Sequence, residues 1–268
     1  MTEILHLLLK ASLVAAVVVA ATMAAERTGP FWGALITSLP VSIGPIYIVM
    51  ATELPASFIS RGLLSSLATN VATTCFLTVA ALAATRTTPA ATVALAIGAW
   101  IATALLIHQI DWPAWGAAAI NAMALGIALS ALRLWTRPGV AAPAPRRWFD
   151  LPLRALLVGA LTLVLALAGA ALGPKYSGIL AITPVVFISA TIVLLVRLGG
   201  PATAATLSRA VVPIGGFGLA LLVAHLATAR YGSAPGLALG LATSLGYSSG
   251  LIIWHLRRAR PSLKSRIH

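Results

Sequence analysis

Two prolines within apolar sequence give the strongest indication of a ligand site. Pro40 lies near the middle of an apolar segment at 31–52, and Pro184 lies near the middle of another at 176–196. A proline inside a helix leaves one backbone carbonyl without its intrahelical donor and bends the helix. Interrupted helices at matching positions of two repeats are typical of a transporter's substrate site. Proline that serves helix packing alone is the alternative. The hydroxyl groups nearby belong to Thr37, Ser38 and Thr183.

Paired aromatic and basic residues extend this predicted substrate site. Trp100 and Tyr247 occupy corresponding positions in the two halves of the chain, as do Arg61 and Arg209. We expect the rings to flank a cavity and the arginines to stand at its outer and inner mouths, where they would attract an anionic group. Alternatively, the arginines sit at helix starts as interfacial anchors. Asn70 belongs to the same predicted site, although interhelical hydrogen bonding is the ordinary role of a membrane asparagine.

The pattern of reactive side chains does not favour enzyme chemistry. No nucleophile stands at a catalytic spacing from a base, no carboxylate pair occurs, and the five histidines form no metal-binding motif. The single cysteine, Cys75, has no partner in the chain for a disulfide. The acidic residues all lie near the ends of apolar segments, which argues against a carboxylate proton relay. We therefore expect no enzyme activity, no catalytic residue, no metal site and no cofactor.

The composition places these residues in a membrane protein. The chain is 60% hydrophobic and 9% charged, with a mean hydropathy of +1.00, whereas a soluble domain carries about 25% charged residues. Only a bilayer solvates so much apolar surface. The net charge of +13 comes from basic residues between and after the apolar segments, so we interpret it as a topology signal and expect no nucleic-acid partner.

Nine apolar segments are long enough to span a bilayer, which takes about 17–25 residues. They are predicted to be helices, because irregular backbone cannot face lipid. The first could be mistaken for a signal peptide, but Lys10 and its neighbours match Arg154 and its neighbours, so we assign it to the fold. The predicted helices are 4–25, 31–52, 60–84, 89–108, 113–135, 152–172, 176–196, 205–229 and 234–256.

An internal duplication organises these segments. Residues 29–40 match 173–184 at a constant offset of 144, and later matches have offsets of 147 and 148. The most specific matches are Gly29 with Gly173, Pro30 with Pro174, and Pro40 with Pro184. Residues 1–108 are predicted to form a first four-helix repeat, 109–151 a linking helix and cytoplasmic linker, and 152–268 a second, inverted four-helix repeat with a basic cytoplasmic tail. The predicted fold class is an all-α integral membrane protein with 4+1+4 inverted-topology repeats.

The distribution of basic residues predicts the orientation. The first copy has four helices and one linking helix follows it, so the second copy enters the membrane from the opposite side. The positive-inside rule tests that arrangement. One face holds four of the 18 Lys and Arg residues, and the other face holds the remaining fourteen. We therefore expect the N-terminus outside and the C-terminus in the cytoplasm. The four residues of the first face are Lys10, Arg61, Lys175 and Arg230.

Each half of the chain resembles the GlpM-like family of small inner-membrane proteins, which have about four helices. The resemblance rests on Lys10-Ala11 and Arg154-Ala155, on Trp32-Gly33 to Pro40 and Tyr176-Ser177 to Pro184, on Arg61 and Arg209, and on Trp100 and Tyr247. It implies a multi-pass protein of the bacterial inner membrane. The tandem fusion and the added fifth helix depart from the family. The family has no settled activity that the resemblance could carry over.

Two functions fit these predictions. The first is a secondary transporter or flippase that moves a small neutral or anionic solute, or a lipid head group, by alternating access. The second is a non-transporting membrane protein that supports or regulates a membrane complex. A polar cavity at the level of the paired prolines would favour the first, and a fully packed bundle with one broad apolar side would favour the second. The expected partners are the lipid bilayer and a small solute or lipid, with a homodimer left open.

Overall fold

The computed structural model describes residues 43–135 and 171–259, together with the single residues 16, 156 and 160. The described chain is helical, as the apolar composition predicts. The predicted helix 4–25, most of the predicted helices 152–172 and 31–52, the linker and the end of the tail lie outside the described residues. The helices are α1 (Ile43–Glu53), α2 (Ala56–Ala83), α3 (Pro89–His108), α4 (Ala114–Trp135), α5 (171–181), α6 (Val185–Tyr231) and α7 (Ser233–Ala259).

Glycine and proline set the breaks within and between these helices. Gly173, Gly199 and Gly232 have φ angles of 77°, 75° and 94°, a left-handed conformation that glycine adopts without steric cost. Gly199 bends α6 into two limbs, 185–198 and 200–231. Pro184 stands at the N-terminal end of α6. The breaks fall close to the predicted loops, because these breakers act through local backbone sterics.

Three details of the predicted boundaries are wrong. The helix predicted at 60–84 begins at Ala56, so Arg61 lies in its second turn and not at its start. The helix predicted at 205–229 begins directly after Gly199, which puts Arg209 well inside it. Pro184 separates two helices and does not kink the middle of one.

Five of the helices are long and apolar enough to cross a membrane, so the architecture is compatible with an integral membrane protein. The nine-helix count and the inverted repeat stay predictions, because three of the predicted helices fall mostly outside the described residues. The five spans are Ala56–Ala83, Pro89–His108, Ala114–Leu134, Ala171–Tyr231, which takes α5 and α6 together, and Ser233–Trp254.

Helix α2 is the central element of the described bundle. In the most apolar stretch of α2, 78% of the residues are buried, against 17% in that of α3. Helix α2 packs against α3, α4 and α6. Its first half joins an apolar cluster that includes Tyr47 and Leu63, which we call the first core. Its second half joins another that includes Phe76 and Val211, which we call the second core. Helix α3 instead exposes several large apolar side chains, as expected for a surface that faces lipid.

The second limb of α6 runs antiparallel to α2. The Nδ1 atom of His225 lies 2.8 Å from the carbonyl oxygen of Ser60, and farther along α2 the side chain of Asn70 reaches the carbonyl of Ile214. Residue numbers therefore rise along α2 as they fall along the limb. With this register, the residue of the second limb that lies level with any given residue of α2 can be identified.

A close helix contact gives a first testable prediction. A Cβ atom at Gly178 of α5 would lie 2.7 Å from the Cβ of Ser65 and would also meet the carbonyl oxygen of Gly62. Gly178→Ala should therefore lower the free energy of unfolding in detergent by about 1–3 kcal/mol, because overpacking forces the two helices apart.

Gly98→Ala is the matched control, since no atom lies within 4 Å of a Cβ built at Gly98. We expect that variant to be as stable as wild type or more stable by up to about 1 kcal/mol, as alanine favours helix. Equal unfolding curves for the two variants would show that α2 and α5 do not approach as closely as described.

Candidate functional site

A partly open cavity of about 230 Å³ lies where α2 begins, α3 ends and α5 begins. We call it the vestibule. Helix α2 contributes residues three and four positions apart, which share one face of a helix. From Arg61 to Thr69 this lining descends about 12 Å, at about 1.5 Å per residue. The lining residues are Arg61, Leu64, Ser65, Ala68, Thr69, Ile107, His108, Ile110, Asp111, Trp112, Pro174, Lys175 and Ile179.

The depth of the vestibule places its floor near the centre of the bundle. Thr69 is 1% exposed and stands at the midpoint of α2, which spans Ala56–Ala83. Beyond this level the second core fills the space around α2. The first half of α2 therefore has the vestibule on one side and the first core on another, whereas the second half is surrounded by the second core.

An ion pair crosses the rim of the vestibule. Lys175 Nζ donates to Asp111 Oδ1 at 2.6 Å. The hydrogen bond from Lys175, together with its positive charge, holds the pKa of the Asp111 carboxyl below its usual range. A lowered pKa means that the pair persists from neutral pH down past the ordinary carboxyl range, and it is lost when the pH falls through the lowered value. Both a cation and an anion thus face solvent at the rim at neutral pH.

Hydroxyl groups on α2 hold the start of α5 beside the vestibule. Ser65 donates to the carbonyl of Lys175 at 2.6 Å, and Ser66 donates to the carbonyl of Gly178 at 2.7 Å. Tyr47 of α1 shares a hydrogen bond of 2.8 Å with Ser66. These bonds fix the backbone that carries Lys175, so its position at the rim is determined by buried contacts.

A hydrogen-bonded asparagine pair lies next to the vestibule floor. Asn70 donates to Asn121 Oδ1 at 2.9 Å and to the Ile214 carbonyl at 3.2 Å. Asn121 in turn donates to the carbonyl of Leu67 at 2.7 Å. These are the interhelical hydrogen bonds that the sequence predicts, and they join α2, α4 and α6. Gly218 leaves room for the pair, since a Cβ there would stand 3.2 Å from Asn70 Nδ2.

Two buried oxygens near this pair lack a donor among the described residues. They are Asn70 Oδ1 and Thr73 Oγ1, whose residues are 1% and 3% exposed. The orientation of the Asn70 amide follows from its neighbours, because its Nδ2 faces two acceptors. An acceptor in an apolar interior without a donor is costly, so this layer can take a hydrogen bond from water or a ligand.

The predicted arginines lie at opposite halves of α2. Arg61 lines the vestibule, and its Nε donates to the Ser57 carbonyl at 3.3 Å. Arg209 is exposed. By the antiparallel register it lies level with the Cys75 region of α2, about 20 Å along the axis from Arg61. The structure brings Arg61 to the cavity and leaves Arg209 on the side of the second core.

The predicted aromatic residues do not line the vestibule. Trp100 packs against the second core, and its buried Nε1 has no hydrogen-bond partner among the described residues. Tyr247 donates to the Val212 carbonyl at 3.2 Å, and its ring lies against Gly216. Both rings therefore act in helix packing in this conformation.

The remaining predicted residues fall at or beyond a helix junction. Thr183 is half-buried and Pro184 is buried between α5 and α6. Thr37, Ser38 and Pro40 lie outside the described residues. Their predicted role in substrate binding stays a prediction.

Lys175, Asp111 and His108 line the vestibule although the sequence did not predict them as site residues. Lys175 was predicted only as a topology signal, and Asp111 only as an acid near a helix end. Nothing in the sequence pairs them, because 64 positions separate the two. The rings of His108 and Tyr176 are in tilted contact, with their centroids 4.6 Å apart. All three residues lie at or beside predicted helix ends on the same predicted membrane face, and that shared position is the signal that could have found the cluster.

Comparisons with known proteins found no match for this chain, whether with protein-family models, with curated proteins or with solved structures. Within residues 43–135 and 171–259, no group of three His, Cys, Asp or Glu side chains is arranged to hold a metal ion.

The asparagine pair gives a second prediction. Asn70→Ala and Asn121→Ala should each destabilise the protein, and a double-mutant cycle on the free energy of unfolding should show a coupling of about 0.6–1.7 kcal/mol, the range for interhelical hydrogen bonds in membranes.

Ser130→Ala provides the control cycle with Asn70→Ala. Ser130 is on the same helix as Asn121 but is exposed and donates only within its own helix, to Gly126. We expect no coupling there, and a coupling near zero for the asparagine pair as well would contradict the hydrogen bond.

Proposed function

We propose that this chain is a secondary transporter or flippase of the bacterial inner membrane, which moves a small neutral or anionic solute or a lipid head group by alternating access. The observation that carries the proposal is the vestibule. It reaches from Arg61 to the midpoint of α2, while the second core closes the other half. A cavity that is open on one side and ends at mid-membrane is what an outward-open or inward-open transporter requires.

The antiparallel crossing supports an origin by inverted duplication, as expected for a tandem fusion of two GlpM-like units. Under the offset of 148, Asn70 corresponds to Gly218, and these two positions touch. Elements related by a two-fold axis cross at equivalent positions on that axis. Such an axis, lying in the membrane plane, would exchange Arg61 with Arg209 and would carry the vestibule from one membrane face to the other.

The alternative function, support or regulation of a membrane complex, draws on the apolar surface of α3. Leu95, Leu105 and Leu106 are 51%, 58% and 70% exposed. Lipid chains cover such a surface as well as a partner protein does. The vestibule has no role in that alternative, so we favour transport.

Flux measurements in proteoliposomes test the proposal. Arg61→Gln should lower the flux of the transported solute by about tenfold or more, because a charge-assisted interaction is worth about 1.5–3 kcal/mol. Arg133→Gln is the control, since Arg133 is exposed in the last turn of α4. The panel should contain small anions, neutral solutes and a fluorescent lipid analogue.

Two double variants extend the same assay to the paired prolines and the paired arginines of the predicted substrate site. Pro40→Ala with Pro184→Ala, and Arg61→Ala with Arg209→Ala, should both lose flux while they retain wild-type unfolding temperatures. Equal flux in wild type and in both double variants would mean that these residues are structural. Absence of flux for every member of the panel would favour the complex-supporting role.

Reporter fusions test the proposed orientation. A reporter that is active only in the cytoplasm should be active when fused after residue 268 and inactive when fused before residue 1, because fourteen of the 18 basic residues fall on the predicted inner face. Activity at both ends would require an even number of spans and would remove the 4+1+4 scheme.

A further inference from the structure

The ion pair at the vestibule rim is weakly held. The side chains of Lys175 and Asp111 are 39% and 92% exposed, and exposed pairs contribute little to stability because water and salt screen them. The backbone of Lys175 is fixed by Ser65, so the lysine stays at the rim whether or not Asp111 contacts it. Asp111 can therefore leave Lys175 at small cost.

The charge of the vestibule favours an anion. Arg61 and Lys175 contribute two cations, and Asp111 contributes one carboxylate. Among the described residues no carboxylate lies within ion-pair distance of Arg61. When Asp111 moves away from Lys175, both cations face the cavity. A free cation would meet repulsion there, whereas a phosphate or carboxylate would find an arginine fork and a lysine point charge.

The wall below the rim is largely apolar. Leu64 and Ala68 of α2, Ile107 at the end of α3 and Ile179 of α5 line it, beside the hydroxyl groups of Ser65 and Thr69. A fully hydrated inorganic ion gains nothing from such a wall. A molecule that carries an apolar portion next to its anionic group would bury that portion against these side chains.

We propose that the vestibule binds the anionic group of an amphiphile, a phosphate or carboxylate with an attached apolar portion, between Arg61 and Lys175. Asp111 is the internal competitor that occupies Lys175 until the ligand displaces it. This assignment rests on the proposed function, since it names the class of molecule that would enter the transport cavity. The same chemistry is presented by the head group of an anionic membrane lipid and by a soluble amphiphilic anion.

Binding to the full chain in nanodiscs of zwitterionic lipid tests this assignment separately from transport. Calorimetric titration uses three probes, which are dihexanoyl phosphatidic acid, dihexanoyl phosphatidylcholine and inorganic phosphate, with empty nanodiscs as the blank. We expect saturable binding of the phosphatidic acid alone. Inorganic phosphate that binds as tightly would overturn the requirement for an apolar portion, and phosphatidylcholine that binds as tightly would overturn the selection for net negative charge.

The variants separate the roles of the three charged residues. Arg61→Gln and Lys175→Gln should each weaken phosphatidic acid binding by about tenfold or more. Asp111→Asn should tighten it by about two- to fivefold, because an exposed pair of this kind is worth up to about 1 kcal/mol. Weaker binding by Asp111→Asn would overturn the competitor role, since a merely structural ion pair would act in that direction. Arg133→Gln should bind as wild type does.

The outcomes distinguish this inference from the proposed function. Predicted binding with no flux of any solute would remove transport and leave the anion site. Flux without phosphatidic acid binding would remove the amphiphile assignment and leave transport. To identify the source of the anion, the titration is repeated with nanodiscs that contain phosphatidylglycerol. Loss of phosphatidic acid binding there would show that a membrane lipid head group occupies the site, and unchanged binding would assign the site to a soluble amphiphile.

Discussion

Hydrogen bonding within an apolar interior is the constraint on which this structure depends. A polar side chain that faces neither water nor a head group must find its partner inside the bundle. Helix α2 carries six of the fourteen buried polar side chains among the described residues, and Ser60, Ser66 and Asn70 find partners on other helices. Ser65 and Ser66 fix α5, and Asn70 fixes α4 and the second limb of α6. The arrangement of helices follows from where α2 presents its donors.

The breaks in the second half of the chain complement those donors. Gly173 turns the backbone within the first turn of α5, and Gly62 of α2 leaves space for the ring of Tyr47, with the carbonyl of Pro174 in ordinary contact at that crossing. The repeated glycine-proline stretch thus shapes the rim of the vestibule and delivers Lys175 to it. Its sequence alone suggested a substrate site at Pro184. In the structure this proline ends one helix and begins the next, while the cavity lies nearer the glycine.

The class of protein and most helix boundaries could be predicted from the sequence, because hydropathy and helix breakers are local properties. The helix predicted at 89–108 is the one observed. The interhelical role of Asn70 was also predictable, since few other roles suit an amide at mid-helix. The cavity was not predictable. Its members come from α2, α3, α5 and a loop, and the pairing of Lys175 with Asp111 depends on how those elements pack. Arg209 was misplaced because its helix begins at Gly199, before the predicted start.

The asparagine pair bears on why one chain would hold both halves. On the proposed repeat, two identical units would place an Asn70 side chain from each copy at the crossing point. In this chain the position opposite Asn70 is Gly218 of α6, which supplies space, and α6 also offers the Ile214 carbonyl as an acceptor. Asn121 of α4 accepts the other hydrogen bond. Two asparagine side chains at one close crossing would compete for the same volume, so one asparagine opposite a glycine packs better. If the proposed repeat is correct, fusion into one chain would fix the pairing of two copies that differ at this point. The helix that carries Asn121 would then serve packing at the crossing as well as the proposed reversal of orientation.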